Sequence, residues 1–139
     1  MRVLINIDVP DVARGTAFYC TAFELTVGRR FDDGFIELLG AGPPIYLLTK
    51  PERTPPVPGA PFVPARSYAR HWTPMHLDFV VDDVHVARAR ALAAGATAEG
   101  EVSEHAYGLL ALMADPFGNG FCLLQFTGAG YDAIALPAQ

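Results

Sequence analysis

At 139 residues, 51% hydrophobic and 18% charged, the chain has the size of one compact domain and is too apolar to be disordered. No apolar stretch approaches the ~20 residues of a membrane span. The net charge of −5, with nine of the ten basic residues being scattered arginines that read as solvated surface, gives no electrostatic footprint for nucleic acid.

The N-terminus runs straight into a strand pattern, without the basic flank and apolar core of a signal peptide, so the expectation is a soluble cytoplasmic protein. In residues 3–9, Val3, Ile5, Ile7 and Val9 alternate with Leu4, Asn6 and Asp8, which predicts a strand with one strongly apolar face. Pro10 ends it, Asp11 caps a helix, and Val12, Thr16, Tyr19, Ala22 and Phe23 recur at helical spacing. Gly15 inside that helix is expected to cost up to about 1 kcal/mol relative to alanine. Three strands follow near 24–31, 34–40 and 43–49, separated by Asp32-Asp33-Gly34 and by Gly40 to Pro44.

Residues 50–74 hold seven prolines and read as a linker lying over the body, with Phe62, Tyr68 and Trp72 as anchors. The opening theme then returns. His76 to Val81 is a strand, Asp83 caps a helix to about Ala94, and Gly95 stands at its C′ position. Strands are expected near 98–104, 108–114 and 120–126, with Asp115 to Gly120 as the last turn, chosen for its φ/ψ needs. The tail from Gly128 has room for a short helical turn.

Residues 4–12 and 76–84 are therefore one pattern written twice, 72 positions apart. The organisation expected is a single α+β domain of tandem β-α-β-β-β modules: module one at 3–49, the linker at 50–74, module two at 75–127 and a tail at 128–139. Neither module is large enough to bury its own apolar face, so the two pack side by side into one curved eight-stranded cup. Without a secretory signal, Cys20 and Cys122 are read as free thiols, Cys20 as small core filler. Glu101, Glu104 and His105 read as a solvated rim.

These residues resemble the vicinal oxygen chelate superfamily, which includes glyoxalase I, extradiol dioxygenases, fosfomycin-resistance enzymes and bleomycin-resistance proteins. The match lies in the strand stepping through Val-Pro-Asp or Val-Asp-Asp into a helix, in Phe18-Tyr19 and Phe23, in Ala93-Ala94-Gly95-Ala96, and in Asp115-Pro116-Phe117-Gly118-Asn119 before the last strand. It spans roughly residues 3–126. The resemblance implies a homodimer and, in the metal enzymes of the family, ligands at the start of each module's first strand and in its last strand. Those positions here are Leu4, His76, Tyr46 and Cys122, where the family usually places His or Gln at the first pair and Glu at the last. A catalytic divalent site needs about three protein ligands, and only His76 is retained unchanged. Asp78 shares the parity of His76, but residues i and i+2 lie about 6.5–7 Å apart along a strand, which strains joint ligation.

The expected site is a cup into which Asn6, Asp8, Tyr46, His76, Asp78 and Cys122 project, lined also by Leu4, Val80 and Leu124, binding a small organic molecule without a metal or other cofactor. A self-satisfied polar plug with no ligand is the plain alternative. His76 and Cys122 are the catalytic candidates, as an acid–base histidine or a Cys-His couple. The acidic pair Asp8 and Asp78 hints at a cationic or hydrogen-bond-donating ligand. The alternative is a metal-dependent lyase or dioxygenase with a rearranged divalent site around His76. Neither reading includes a membrane or nucleic-acid partner.

Overall fold

The computed structural model describes residues 1–59 and 64–137, so Phe62 lies outside the described residues. Module one runs β1 (Ile5–Val9), α1 (Val12–Phe23), β2 (Thr26–Asp32), β3 (Phe35–Leu39) and β4 (Ile45–Thr49). Module two runs β5 (Leu77–Val80), α2 (Val84–Ala94), β6 (Thr97–Ala98), β7 (Ser103–His105), β8 (Gly108–Ala114) and β9 (Gly120–Phe126). A short 3-10 turn, Gly130–Ala133, sits in the tail.

The repeat seen in the sequence is a repeat of topology. Each module's first strand pairs in parallel with its last, giving the orders β1-β4-β3-β2 and β5-β9-β8-β6, with β7 also on β8. The two helix starts are built alike. Asp11 accepts from the backbone N–H groups of Ala13 and Arg14, and Asp83 from those of His85 and Val86, satisfying orphan donors of the first turn.

The α+β organisation follows expectation, with one difference in strand number. The second strand of module two is broken into β6 and β7, which makes nine strands in two sheets among the described residues. Gly100, in the left-handed region at φ +120°, lies in the interruption. The glycine of α1 is not an idle cost either. A Cβ on Gly15 would stand 3.1 Å from a Leu47 methyl and 3.3 Å from Val9, so its absence lets helix and sheet approach closely.

One apolar core crosses the module boundary. Phe23 of α1 stacks on Phe79 of β5 with ring centroids 3.7 Å apart, and Phe18 meets Phe121 of β9 edge-on. Arg90 of α2 donates from Nε to the Ala22 carbonyl oxygen and pairs with Glu24 at 2.7 Å, joining the helices at their rim. The half-buried Cys20 packs against this core as expected.

Candidate functional site

Between β1 and the β5–β9 edge lies a cleft of about 690 Å³. Because β1 is an edge strand, both of its faces contribute. Ile5 and Ile7 join Phe79 and Phe121 as apolar walls, while Asn6, Asp8 and His76 supply polar groups. Residues 64–75 of the linker cross over the cleft as a strap.

Of the described aromatic anchors the sequence suggested, Tyr68 packs against the core and Trp72 does not, and charged side chains add the remaining hold on the strap. Trp72 is 82% exposed; Tyr68 is half-buried and donates its hydroxyl to the Lys50 carbonyl oxygen at 2.7 Å. On the module-one side, Arg66 Nε reaches the Asp8 carboxylate at 2.7 Å, and its Nη1 donates to the Pro55 carbonyl oxygen. On the module-two side, Arg70 grips both carboxylate oxygens of Glu99, and its hydrogen bonds hold that carboxyl below its usual range. His71 Nε2 meets Asn119 Oδ1 at 3.0 Å, and the His71 amide donates to Gly118. Asp8 is thus already neutralised, which removes half of the expected acidic pair and with it the case for a cationic ligand.

Tyr46 is not in the cleft. It lies opposite Glu37 in the β3–β4 ladder and donates to the Glu37 carboxylate at 2.8 Å, while Arg29 bonds both carboxylate oxygens and the Tyr46 hydroxyl. The Arg29 hydrogen bonds, against an upward push from burial and with help from Tyr46, draw the Glu37 carboxyl down to about 2. A carboxyl lowered on folding stabilises above its unfolded value, and that contribution fades as pH falls through the folded one. Glu37→Gln is therefore expected to flatten the acid limb of the stability curve between about pH 4.5 and about pH 2 while leaving the slope near neutrality unchanged. Urea-unfolding midpoints across that range test it; an acid limb as steep as wild type speaks against the assignment.

On the module-two sheet, Asp78 and Cys122 are direct partners in the parallel β5–β9 ladder, and His76 precedes Asp78 by two residues on the same face. His76 Nε2 stands 3.2 Å from Asp78 Oδ1, and donor atoms of all three residues fall within 4.8 Å of one another. The strain expected from the strand rise is absent, because the two side chains converge. Burial first, then the neighbouring Asp78 charge, pushes the Cys122 thiol up to about 12. A thiol so held is a poorer nucleophile than an ordinary cysteine.

The six predicted ligand-binding residues therefore separate into three places. Asn6, Asp8 and His76 border the cleft, Tyr46 belongs to the Arg29–Glu37 cluster, and Asp78 and Cys122 join His76 on the module-two sheet. The remaining lining expected of a common cup also disperses: Leu4 is 48% and Val80 63% exposed, whereas Leu124 is buried. Sequence reasoning missed Arg66, Arg70, His71 and Asn119, whose pairings join distant segments and carry no local signal.

A metal site of the superfamily's two-module kind does not fit these residues. Leu4 has no donor atom, and the Tyr46 hydroxyl is engaged by Glu37 and Arg29. The rim residues Glu101, Glu104 and His105 are exposed, as expected, and His105 stacks on Tyr107.

Residues 4–124 match the family model described as a glyoxalase-like domain. A search of curated proteins found no match. Among solved structures, a glyoxalase-related enzyme from Fulvimarina pelagi superposes with a TM-score of 0.69 at 19% identity, covering 93% of each chain. A fosfomycin resistance protein from Listeria monocytogenes gives 0.68 at 18% identity, covering 91% of this chain and 93% of its own. A glyoxalase/bleomycin resistance protein/dioxygenase family enzyme from Burkholderia phytofirmans PsJN gives 0.67 at 22% identity, covering 89% and 97%. At these identities the structural matches speak for the fold alone. With the family model spanning most of its length, the chain belongs to the glyoxalase-like domain family, within the vicinal oxygen chelate superfamily.

Proposed function

We propose that this chain binds a small organic molecule in the cleft between its modules, beneath the strap, as a homodimeric cytoplasmic protein without membrane or nucleic-acid partners. The observation that carries the reading is the cleft itself. Its volume of about 690 Å³ is in the range of small-molecule sites, its walls are apolar, and a few polar side chains converge on it. Since Arg66 already neutralises Asp8, the ligand that fits is uncharged, with an apolar body between Ile7 and Phe121 and a polar edge toward Asn6 and His76. The likeness to a fosfomycin resistance protein accords with a small organic ligand in this fold. The rival reading, a metal-dependent lyase or dioxygenase with a rearranged divalent site around His76, would have to draw its donors from His76, Asp78 and Cys122, because Leu4 has no donor atom and the Tyr46 hydroxyl is occupied.

Thermal denaturation against a panel of uncharged aromatic and heterocyclic compounds tests the proposal. A binder at 100 times its Kd adds about 2.7 kcal/mol, or a melting shift of about 8 °C for a domain of this size. Ser67, exposed on the strap and facing the cleft, offers the control. Ser67→Trp fills the mouth and is expected to abolish the shift while moving the unliganded midpoint by no more than about 2 °C. Shifts that survive Ser67→Trp, or a panel without any binder, count against the cleft.

A further inference from the structure

We infer that His71 is a proton-operated latch: it holds the strap over the cleft when its ring carries two protons and loosens it when the ring carries one. Both ring nitrogens meet oxygen acceptors. Nδ1 stands 2.9 Å from the Ala69 carbonyl oxygen, and Nε2 stands 3.0 Å from Asn119 Oδ1. The Asn119 amide cannot turn to offer its nitrogen to the ring instead. Its Nδ2 donates to Asp115 Oδ2 at 2.8 Å, and the turned amide would set oxygen against a carboxylate. A neutral imidazole has one N–H, so in either tautomer one nitrogen lone pair confronts an oxygen lone pair. The imidazolium donates to both.

The surroundings hold that charge. The Asp115 carboxylate lies behind Asn119 and polarises its amide, which favours a positive ring. Arg70, next to His71 in the strap, opposes it, but its guanidinium is committed to Glu99, between β6 and β7, and to the His71 carbonyl oxygen. Tyr19 of α1 reaches Asp115 as a donor, and on β1 the Asp8 carboxylate is paired with Arg66. Tyr68 and His76 are the other titratable groups bordering the cleft among the described residues, and Tyr68 is turned to the Lys50 carbonyl oxygen. A closed strap that takes up a proton is favoured as pH falls and disfavoured as pH rises, by mass action on the proton. The consequence for the ligand, slower exchange in acid, rests on the cleft reading; the movement of the strap itself does not.

Nitrogen-15 NMR and hydrogen exchange of the unliganded protein between about pH 8 and about pH 5, the histidine range, test the inference. At the acid end both His71 ring nitrogens are expected to carry protons. The backbone amide at position 71, which donates to the Gly118 carbonyl oxygen, is expected to exchange about tenfold more slowly there, relative to its intrinsic rate, than at about pH 8. His71→Gln keeps one side-chain donor at every pH and is expected to lose that dependence. His85→Gln, at an exposed position on α2, retains it. A singly protonated ring at the acid end, protection at position 71 that does not rise with acid, or a response that survives in His71→Gln overturns the latch. A panel without any binder counts against the cleft and leaves these strap measurements unaffected, so the two readings fall separately.

Discussion

Asp115→Ala is expected to cost about 3–5 kcal/mol, the loss typical of removing a buried charged hydrogen-bonding hub. The side chain is 4% exposed and accepts four hydrogen bonds. One oxygen takes the backbone N–H groups of Phe117 and Asn119 at 2.8 and 2.9 Å; the other takes the Asn119 side-chain amide at 2.8 Å and the Tyr19 hydroxyl at 2.6 Å. Burial, then the Asp115 charge and hydrogen bond, raises the Tyr19 phenol well above its ordinary value, so it remains the donor. Alanine would strand that hydroxyl in the core and loosen the turn that presents Asn119 to His71. Asp115→Asn keeps the oxygen that serves the turn and is expected to lose only about 1–2 kcal/mol. Denaturant unfolding of both variants checks the order. An alanine variant within about 1 kcal/mol of wild type would refute the hub.

Gly118→Ala is the second large effect, and Gly42→Ala is its internal control. Both glycines sit at φ +84°, so both replacements incur the same left-handed strain, about 1–2 kcal/mol. A Cβ at position 42 meets nothing within 4 Å. At position 118 it would fall far inside contact distance of the Ala69 carbonyl group, which is strap backbone. Gly118→Ala is therefore expected to cost about 2 kcal/mol more than Gly42→Ala, the scale of forced overpacking. The excess appears as a detached strap, with trypsin cutting after Arg66 or Arg70 while the circular dichroism of the modules persists. Equal losses in the two variants, or a strap still protected, would show that the close approach is not what excludes a side chain.

What was legible in the sequence were the features written locally. Period-two alternation marked β1, and Asp11 and Asp83 marked the helix starts. The repeated opening gave the duplicated topology. The site was read less well because its contacts are long-range. Asp8 and Arg66 lie 58 positions apart and Arg70 and Glu99 29, and no periodicity connects them. Asp115 shows the divide within one residue. Its bonds to Phe117 and Asn119 are the turn chemistry that a short motif announces, whereas Tyr19 stands 96 positions away. Trp72 misled for a related reason. A large aromatic among prolines suggests an anchor, but burial depends on what the fold places opposite, and here that is solvent. The objection to joint ligation by His76 and Asp78 measured backbone spacing, while coordination is decided at the side-chain tips, 3.2 Å apart.

The strap's two ion pairs fix a mechanical limit. Arg66 is fastened to Asp8 on one module and Arg70 to Glu99 on the other. Four residues of fully extended chain reach no more than about 14 Å. The short tether thus adds to the apolar core that the modules share, and pulling them apart would require an arginine to leave its carboxylate as well as the parting of that core.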